Sequence, residues 1–92
     1  MELRPGEQLL RIHRFRFWKA MGCGQSSIEL LVEETLGPVQ PDTPRCTARP
    51  DHPEFVTKPE FTKPGDTVEE AVANCLSAIR PRRFYELFLP RA

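Results

Sequence analysis

Residues 65–79 have the sequence GDTVEEAVANCLSAI, and this stretch predicts the main helix of the protein. Asp66 is the expected N-cap, because its carboxylate can accept hydrogen bonds from the free amides of the first turn, and Glu69 completes a capping box. Beyond this cap, apolar side chains recur at helical spacing at Val68, Val72, Cys75 or Leu76, and Ile79. One side of the helix therefore needs an apolar layer against it.

Upstream of this helix, residues 9–36 favour a β-hairpin that could supply this layer. Two segments rich in alternating apolar and polar side chains flank a glycine-containing turn at residues 21–25. A register that pairs Phe15 with Val32 and Phe17 with Leu30 collects these four side chains on one face. We expect the other face to carry cross-strand pairs, and the same register gives Arg14 opposite Glu33 and Trp18 opposite Glu29.

Two helices are the alternative for residues 9–36. Ser26-Ser27-Ile28-Glu29 also resembles a capping box, and Gly37-Pro38 is a typical helix stop. The two interpretations differ in whether the aromatic segment before the turn is a β-strand or a helix.

A proline-rich connector is expected at residues 37–64, which contain seven of the ten prolines. Proline lacks an amide donor, so we expect neither a helix nor a central strand there. Short edge strands are plausible around residues 55–57 and 61–62. The near-repeat of PEFVTKP at 53–59 and PEFTKP at 59–64 is either a loop anchored by its two phenylalanines or a polyproline-type ligand.

The C-terminal segment, residues 80–92, is basic and aromatic. Its arginines at positions 80, 82 and 83 follow the negative end of the predicted helix, where cations are favourable. Its apolar side chains either close over the core or insert into a partner, and we predict partner binding by Phe84, Tyr85, Leu87 and Phe88.

Composition limits the function. Thirteen Lys and Arg balance thirteen Asp and Glu in 92 residues, which argues against a dedicated nucleic-acid binder and suits a single small domain. The alternative is a nucleic-acid contact, because bases and aromatic residues interleave near the N-terminus. Its candidate residues are Arg11, Arg14, Arg16, Trp18 and Lys19. The absence of a long apolar run and of a signal peptide predicts no membrane span and a cytoplasmic location.

No convergent catalytic, cofactor or metal-binding set is evident. Only His13, His52, Cys23 and Cys46 could combine at a metal, and they lack the closely spaced pairs typical of zinc sites. The three cysteines are odd in number and without CxxC spacing, which indicates reduced thiols. We therefore expect a protein that is not an enzyme and holds no cofactor.

The segment PEFTKPGDTVEEAVAN, residues 59–74, resembles HicB-type antitoxins, in which a short strand and turn lead into a Gly-Asp-Thr helix start. The resemblance, confined to about residues 59–79, implies a small antiparallel sheet with a helix against it. It also implies binding to a small RNase toxin. The longer proline-rich sequence before this segment departs from the family's short first hairpin.

These observations together predict one α+β domain over residues 1–92, with a small antiparallel sheet and one helix packed across it. The expected core consists of Phe15, Phe17, Leu30, Val32, Val68, Val72, Leu76 and Ile79, with Phe61 and Phe88 at its margins. The expected function is non-enzymatic protein binding, as an accessory subunit, an inhibitor or an antitoxin-like module. A homo-oligomer is also compatible with the sequence.

Overall fold

The computed structural model describes residues 2–21 and 24–90. Its strands are β1 (Leu9–Met21), β2 (Gly24–Leu36), β3 (Cys46–Asp51), β4 (Phe55–Thr57), β5 (Lys63–Gly65) and β6 (Phe88–Pro90), and its helices are α1 (Val68–Ile79) and α2 (Phe84–Leu87). The main sheet has the order β1-β2-β3-β5 and all its pairs are antiparallel, while β4 and β6 form a second, two-stranded sheet. Helix α1 packs across the main sheet, so the predicted α+β class is confirmed.

The N-terminal hairpin is confirmed, but its predicted register is wrong by two residues. Phe15 pairs with Leu30 and Phe17 with Ile28. The ladder continues to the Met21–Gly24 pair, which lies within the turn predicted at residues 21–25. Because side chains alternate with a period of two, a shift of two keeps every residue on its expected face.

The predicted charge pairs change with this register. Arg14 lies opposite Leu31 rather than Glu33, and Trp18 lies opposite Ser27 rather than Glu29. The directly opposed charge pair on this face is instead Arg16 with Glu29. The tip of the turn, with Cys23, lies outside the described residues.

The expectation that the proline-rich connector contains no central strand is wrong. β3 lies between β2 and β5 and includes Pro50, which pairs with Leu30. The β3–β5 ladder covers only Cys46 to Ala48, so Pro50 lies beyond it and its missing amide costs no bond to β5. The strand predicted at 55–57 is β4. Phe61, expected in an edge strand, instead ends a 3₁₀ turn at Pro59–Phe61.

Thr67, not Asp66, is the N-cap of α1. Its Oγ1 accepts a hydrogen bond from the Glu70 amide at 3.1 Å, and the Glu70 carboxylate accepts one from the Asp66 amide at 3.3 Å. The helix therefore begins one residue later than predicted. The acidic side chain that reaches back is therefore Glu70 rather than Glu69.

The core lies between α1 and the strands β2, β3 and β5. The helix buries Ile79, as predicted, and Cys75 rather than its alternative Leu76. The unpredicted Ala71 is also buried, while Val68, Val72 and Leu76 are only half-buried at the side of this stripe. Phe15, predicted in the core, is exposed. Phe61 and Phe88, predicted at the margins, are fully part of the core together with Leu30, Val32, Cys46, Ala48 and Leu87.

Gly65 at the end of β5 allows the closest approach between sheet and helix. A Cβ at this position would lie 2.3 Å from the Ala71 amide nitrogen. Any side chain would therefore separate β5 from the first turn of α1. The glycine of the Gly-Asp-Thr motif thus serves packing, at a position whose backbone φ is not left-handed.

Candidate docking surface

The most exposed strand of the main sheet is β1, which forms its edge and contributes thirteen residues. At about 3.4 Å per residue it extends over about 44 Å, and this length explains the 51 Å long axis of the described chain. β3 pairs with β2 only from Glu29 to Glu34, so the distal part of the hairpin extends beyond the other strands. In the described part of the chain, the outer edge of β1 has no strand partner.

Both faces of β1 carry exposed apolar side chains. Among the ten large apolar side chains that are exposed in the described residues, five belong to this one strand: Leu9, Leu10, Ile12, Phe15 and Trp18. Single exposed apolar residues are common on protein surfaces. Their concentration on an unpaired edge strand is unusual, since exposed apolar edges promote association between chains and most proteins avoid them. This surface, the outer edge of β1 with its exposed side chains, is called the β1 edge below.

A groove beside Phe15 separates β1 from α1. Its volume is about 310 Å³, and its apolar wall is formed by Val68, Val72 and Leu76 of the helix. The axes of the outer strands of a four-stranded sheet are about 14 Å apart, whereas a helix with its side chains is only about 10–12 Å wide. Since α1 packs mainly over β3 and β5, one helix leaves the β1 side of the sheet uncovered.

The face of β1 that points away from α1 is charged. Arg14 Nη1 lies 3.4 Å from an Asp51 carboxylate oxygen and 4.0 Å from Glu29, and Arg16 Nη2 lies 3.4 Å from Glu29. Both arginine side chains remain more than half exposed, so these pairs contribute only about 0–1 kcal/mol each. Trp18 on the same face is 58% exposed, with the Arg16 guanidinium carbon 5.9 Å from its ring centroid.

The structure divides the five predicted nucleic-acid residues between the two faces of β1. Arg14, Arg16 and Trp18 share the face away from α1, whereas Arg11 and Lys19 lie on the helix side. Lys19 Nζ donates to the Arg80 carbonyl, where a cation complements the C-terminal end of α1. The five residues therefore do not form one continuous basic surface.

The structure also divides the predicted partner-binding residues of the C-terminal segment. Leu87 and Phe88 are buried in the core, so their side chains are not available to a partner. Phe84 and Tyr85 remain exposed, and Tyr85 is 69% exposed. The reason is the pairing of β6 with β4, which holds this segment against the body of the protein.

Phe84 belongs to a cluster of four mutually contacting rings. His52, Phe55, Phe84 and Phe88 have ring centroids 4.8 to 6.3 Å apart in all six pairs. These rings pack against one another, and their outer side borders a pocket of about 190 Å³ that Tyr85 and Pro90 also line. The cluster therefore packs the second sheet, and α2 is capped by a hydrogen bond from the Arg83 amide to Glu86 Oε1 at 3.0 Å.

Cys46 and Cys75, two of the three cysteines, are buried free thiols. Burial raises the pKa of Cys46, and burial raises the pKa of Cys75 from 9.0 to about 11. The Cys75 thiol donates to the Phe61 carbonyl at 3.6 Å. Both thiols are therefore protonated at neutral pH, a state in which they are poor nucleophiles and poor metal ligands.

The other predicted metal-ligand candidates lie apart in the fold. His13 Nε2 is 3.0 Å from Glu34 Oε1, and His52 belongs to the aromatic cluster. Within residues 2–21 and 24–90, no three His, Cys, Asp or Glu side chains come together in a way that could hold a metal ion. In the same residues, no helix is both long enough and apolar enough to cross a membrane.

Comparison of the chain with protein-family models, with curated proteins and with solved structures finds no match. The functional argument therefore depends on the geometry of the β1 edge. The sequence pattern did not identify Ile12 as part of a docking surface, and it assigned Val72 and Leu76 of the groove wall to the core. The width of the sheet could have indicated the groove, because one helix is too narrow to cover four strands.

Proposed function

We propose that this protein is a non-enzymatic protein-binding module, acting as an accessory subunit, an inhibitor or an antitoxin-type protein, and that the β1 edge is its docking element. The observation that carries the proposal is the coincidence of an unpaired thirteen-residue edge with half of the exposed large apolar side chains of the described chain. Addition of a partner strand to such an edge satisfies its free amides and carbonyls and covers its apolar groups together.

The groove beside Phe15 supports the same proposal. Val68, Val72 and Leu76 present half-buried apolar surface next to the edge, so a partner that pairs with β1 can also contact α1. Main-chain hydrogen bonds would supply affinity, and the groove would select a side chain. The resemblance of residues 59–79 to HicB-type antitoxins makes a small RNase one candidate partner.

Affinity purification with three matched variants tests this proposal. The tagged wild type is compared with Ile12→Glu on β1 and with Leu89→Glu on β6, because both positions are 48% exposed and neither substitution removes core packing. We expect the wild type and Leu89→Glu to retain a stoichiometric protein partner and Ile12→Glu to lose it. A third variant, Tyr85→Glu, examines the predicted role of the C-terminal segment.

The outcomes separate the alternatives. Loss of the partner with Tyr85→Glu but not with Ile12→Glu would move the docking element to the C-terminal segment and leave a protein-binding function in place. A wild type that purifies without any stoichiometric protein would contradict the proposal itself.

Nucleic-acid contact is the second candidate, and the position of the Arg16 guanidinium over the exposed Trp18 ring, 5.9 Å from its centroid, favours it. Aromatic rings and guanidinium groups are the stacking platforms of single-strand binders. Glu29 and Asp51 oppose it, since they lie beside Arg14 and Arg16 on the same face. Binding of a random single-stranded oligonucleotide, measured by fluorescence anisotropy, is expected to collapse between about 50 and 200 mM salt if this candidate is correct.

A further inference from the structure

The centre of the β1 edge combines two chemistries at three successive residues. Arg14 and Arg16 point to the face away from α1, while Phe15 between them points to the helix side and the groove. An added strand also alternates, so its residues would meet cations on one face and an apolar groove on the other. The β1 edge therefore imposes a pattern on whatever strand pairs with it.

A second copy of β1 does not fit this pattern. Antiparallel self-pairing over the full strand, centred on Phe15, would place Arg14 opposite Arg16 and Arg11 opposite Lys19, each of them twice. Like charges directly opposite one another across a strand pair are destabilising. The strand from Leu9 to Met21 contains no acidic residue to relieve this repulsion.

The acidic residues near Arg14 and Arg16 leave both guanidinium groups able to bind further carboxylates. Arg14 contacts Asp51 at 3.4 Å and Glu29 at 4.0 Å, and Arg16 contacts Glu29 at 3.4 Å; all three contacts are longer than good charge-assisted hydrogen bonds. Each guanidinium has five N–H donors, and both side chains are more than half exposed. A strand beyond the edge can therefore add carboxylates to these guanidinium groups without displacing Glu29 or Asp51.

Resting on the proposed function, we infer that the segment accepted by the β1 edge is an extended acidic strand with the pattern acid, large apolar residue, acid. The two acids lie opposite Arg14 and Arg16. The apolar residue between them lies beside Phe15 and fills the groove against Val72 and Leu76. The partner is thus defined by charge and alternation rather than by overall hydrophobicity.

The test uses a synthetic peptide of sequence Thr-Val-Glu-Leu-Glu-Val-Thr, blocked at both ends, with the 92-residue chain. Binding is followed by the fluorescence of Trp18, the only tryptophan in the chain, and by amide chemical shifts. We expect saturable changes that are largest at residues of β1. Replacing both glutamates of the peptide with lysine is expected to weaken binding by about tenfold or more.

Charge reversal in the protein gives an independent test. The double variant Arg14→Glu, Arg16→Glu is expected to lose the glutamate peptide and to bind the lysine peptide. The matched control is Arg82→Glu, Arg83→Glu, which changes the net charge equally at exposed arginines outside β1 and is expected to bind as the wild type does. Titration of the unmodified protein with both peptides decides the question if the reversed variant does not fold.

Four results would overturn the inference. These are no change in the β1 amides at about 1 mM glutamate peptide, equal affinity for the two peptides, binding of an oligonucleotide but of neither peptide, or a dimer that Ile12→Glu dissociates. If the wild type still retains a protein partner on purification, the first two results leave the proposed function standing. Absence of both peptide and protein partners contradicts the two together.

Discussion

Replacement of Gly65 with alanine tests how closely the sheet and helix approach each other. The new methyl group would lie 2.3 Å from the Ala71 nitrogen, 2.7 Å from its Cα and 2.9 Å from the Glu70 carbonyl carbon. All three are backbone atoms, so no side-chain rotation relieves the clash. β5 and the first turn of α1 must therefore move apart by about 1 Å to restore ordinary contact distances.

The loss in free energy of unfolding can be estimated from the contacts that this shift disturbs. Overpacking typically costs about 1–3 kcal/mol, and loss of the 2.8 Å hydrogen bond from Asn74 Nδ2 to the Pro64 carbonyl adds about 1 kcal/mol. We expect Gly65→Ala to lower the free energy of unfolding by about 3 kcal/mol. In a domain of this size, that corresponds to a fall in Tm of about 12–24 °C.

Urea and thermal unfolding monitored by circular dichroism measure this effect, with Gly37→Ala as the control. Gly37 has a φ of 91° and open space around its Cα, so alanine there meets only backbone strain of about 1–2 kcal/mol. Gly65 has no left-handed φ, so its cost is steric. If Gly65→Ala proved no more destabilising than Gly37→Ala, the close approach of β5 to α1 would be refuted.

Three further predictions concern stability. Thr67→Ala should lower the free energy of unfolding by about 0.5–2 kcal/mol through loss of the cap, and Thr62→Ala, whose side chain is exposed, should change it little in the same urea titration; equal effects would contradict the cap. Leu87→Ala should cost about 2–5 kcal/mol by leaving a cavity, whereas Tyr85→Ala should be nearly neutral, and a stable Leu87→Ala protein would show that this segment is not packed on the core. The free energy of unfolding should fall as the pH rises from 9 towards 11, because the Cys75 thiol ionises more readily in the unfolded chain than in the fold. Urea denaturation at several pH values should show a smaller fall for Cys75→Ala than for the wild type. Parallel pH profiles for the two proteins would exclude this cause.

Local patterns in the sequence were sufficient for the N-terminal hairpin and for α1, but not for β3 or for the 3₁₀ turn at Pro59–Phe61. The alternation in residues 13–18 and 28–33 predicted a hairpin, and the spacing of apolar residues after Thr67 predicted α1, because periods of 2 and 3.6 depend only on the chain's own geometry. The same periodicity assigned Phe17 and Leu30 to one face correctly despite the wrong register. For the docking surface, the sequence indicated the basic and aromatic character of β1 but not its position at an edge.

What only the tertiary structure determined is which side of each element is covered. β3 enters the sheet despite Pro50 because β5 pairs with only part of it, and this placement draws α1 over β3 and away from β1. As a result, Ala71 and Cys75 are buried while Val72 and Phe15 border an open groove, and β6 pairs with β4 so that Leu87 and Phe88 lie inside. Burial depends on which distant segments pack against an element, and the periodicity of apolar residues within one segment does not determine this.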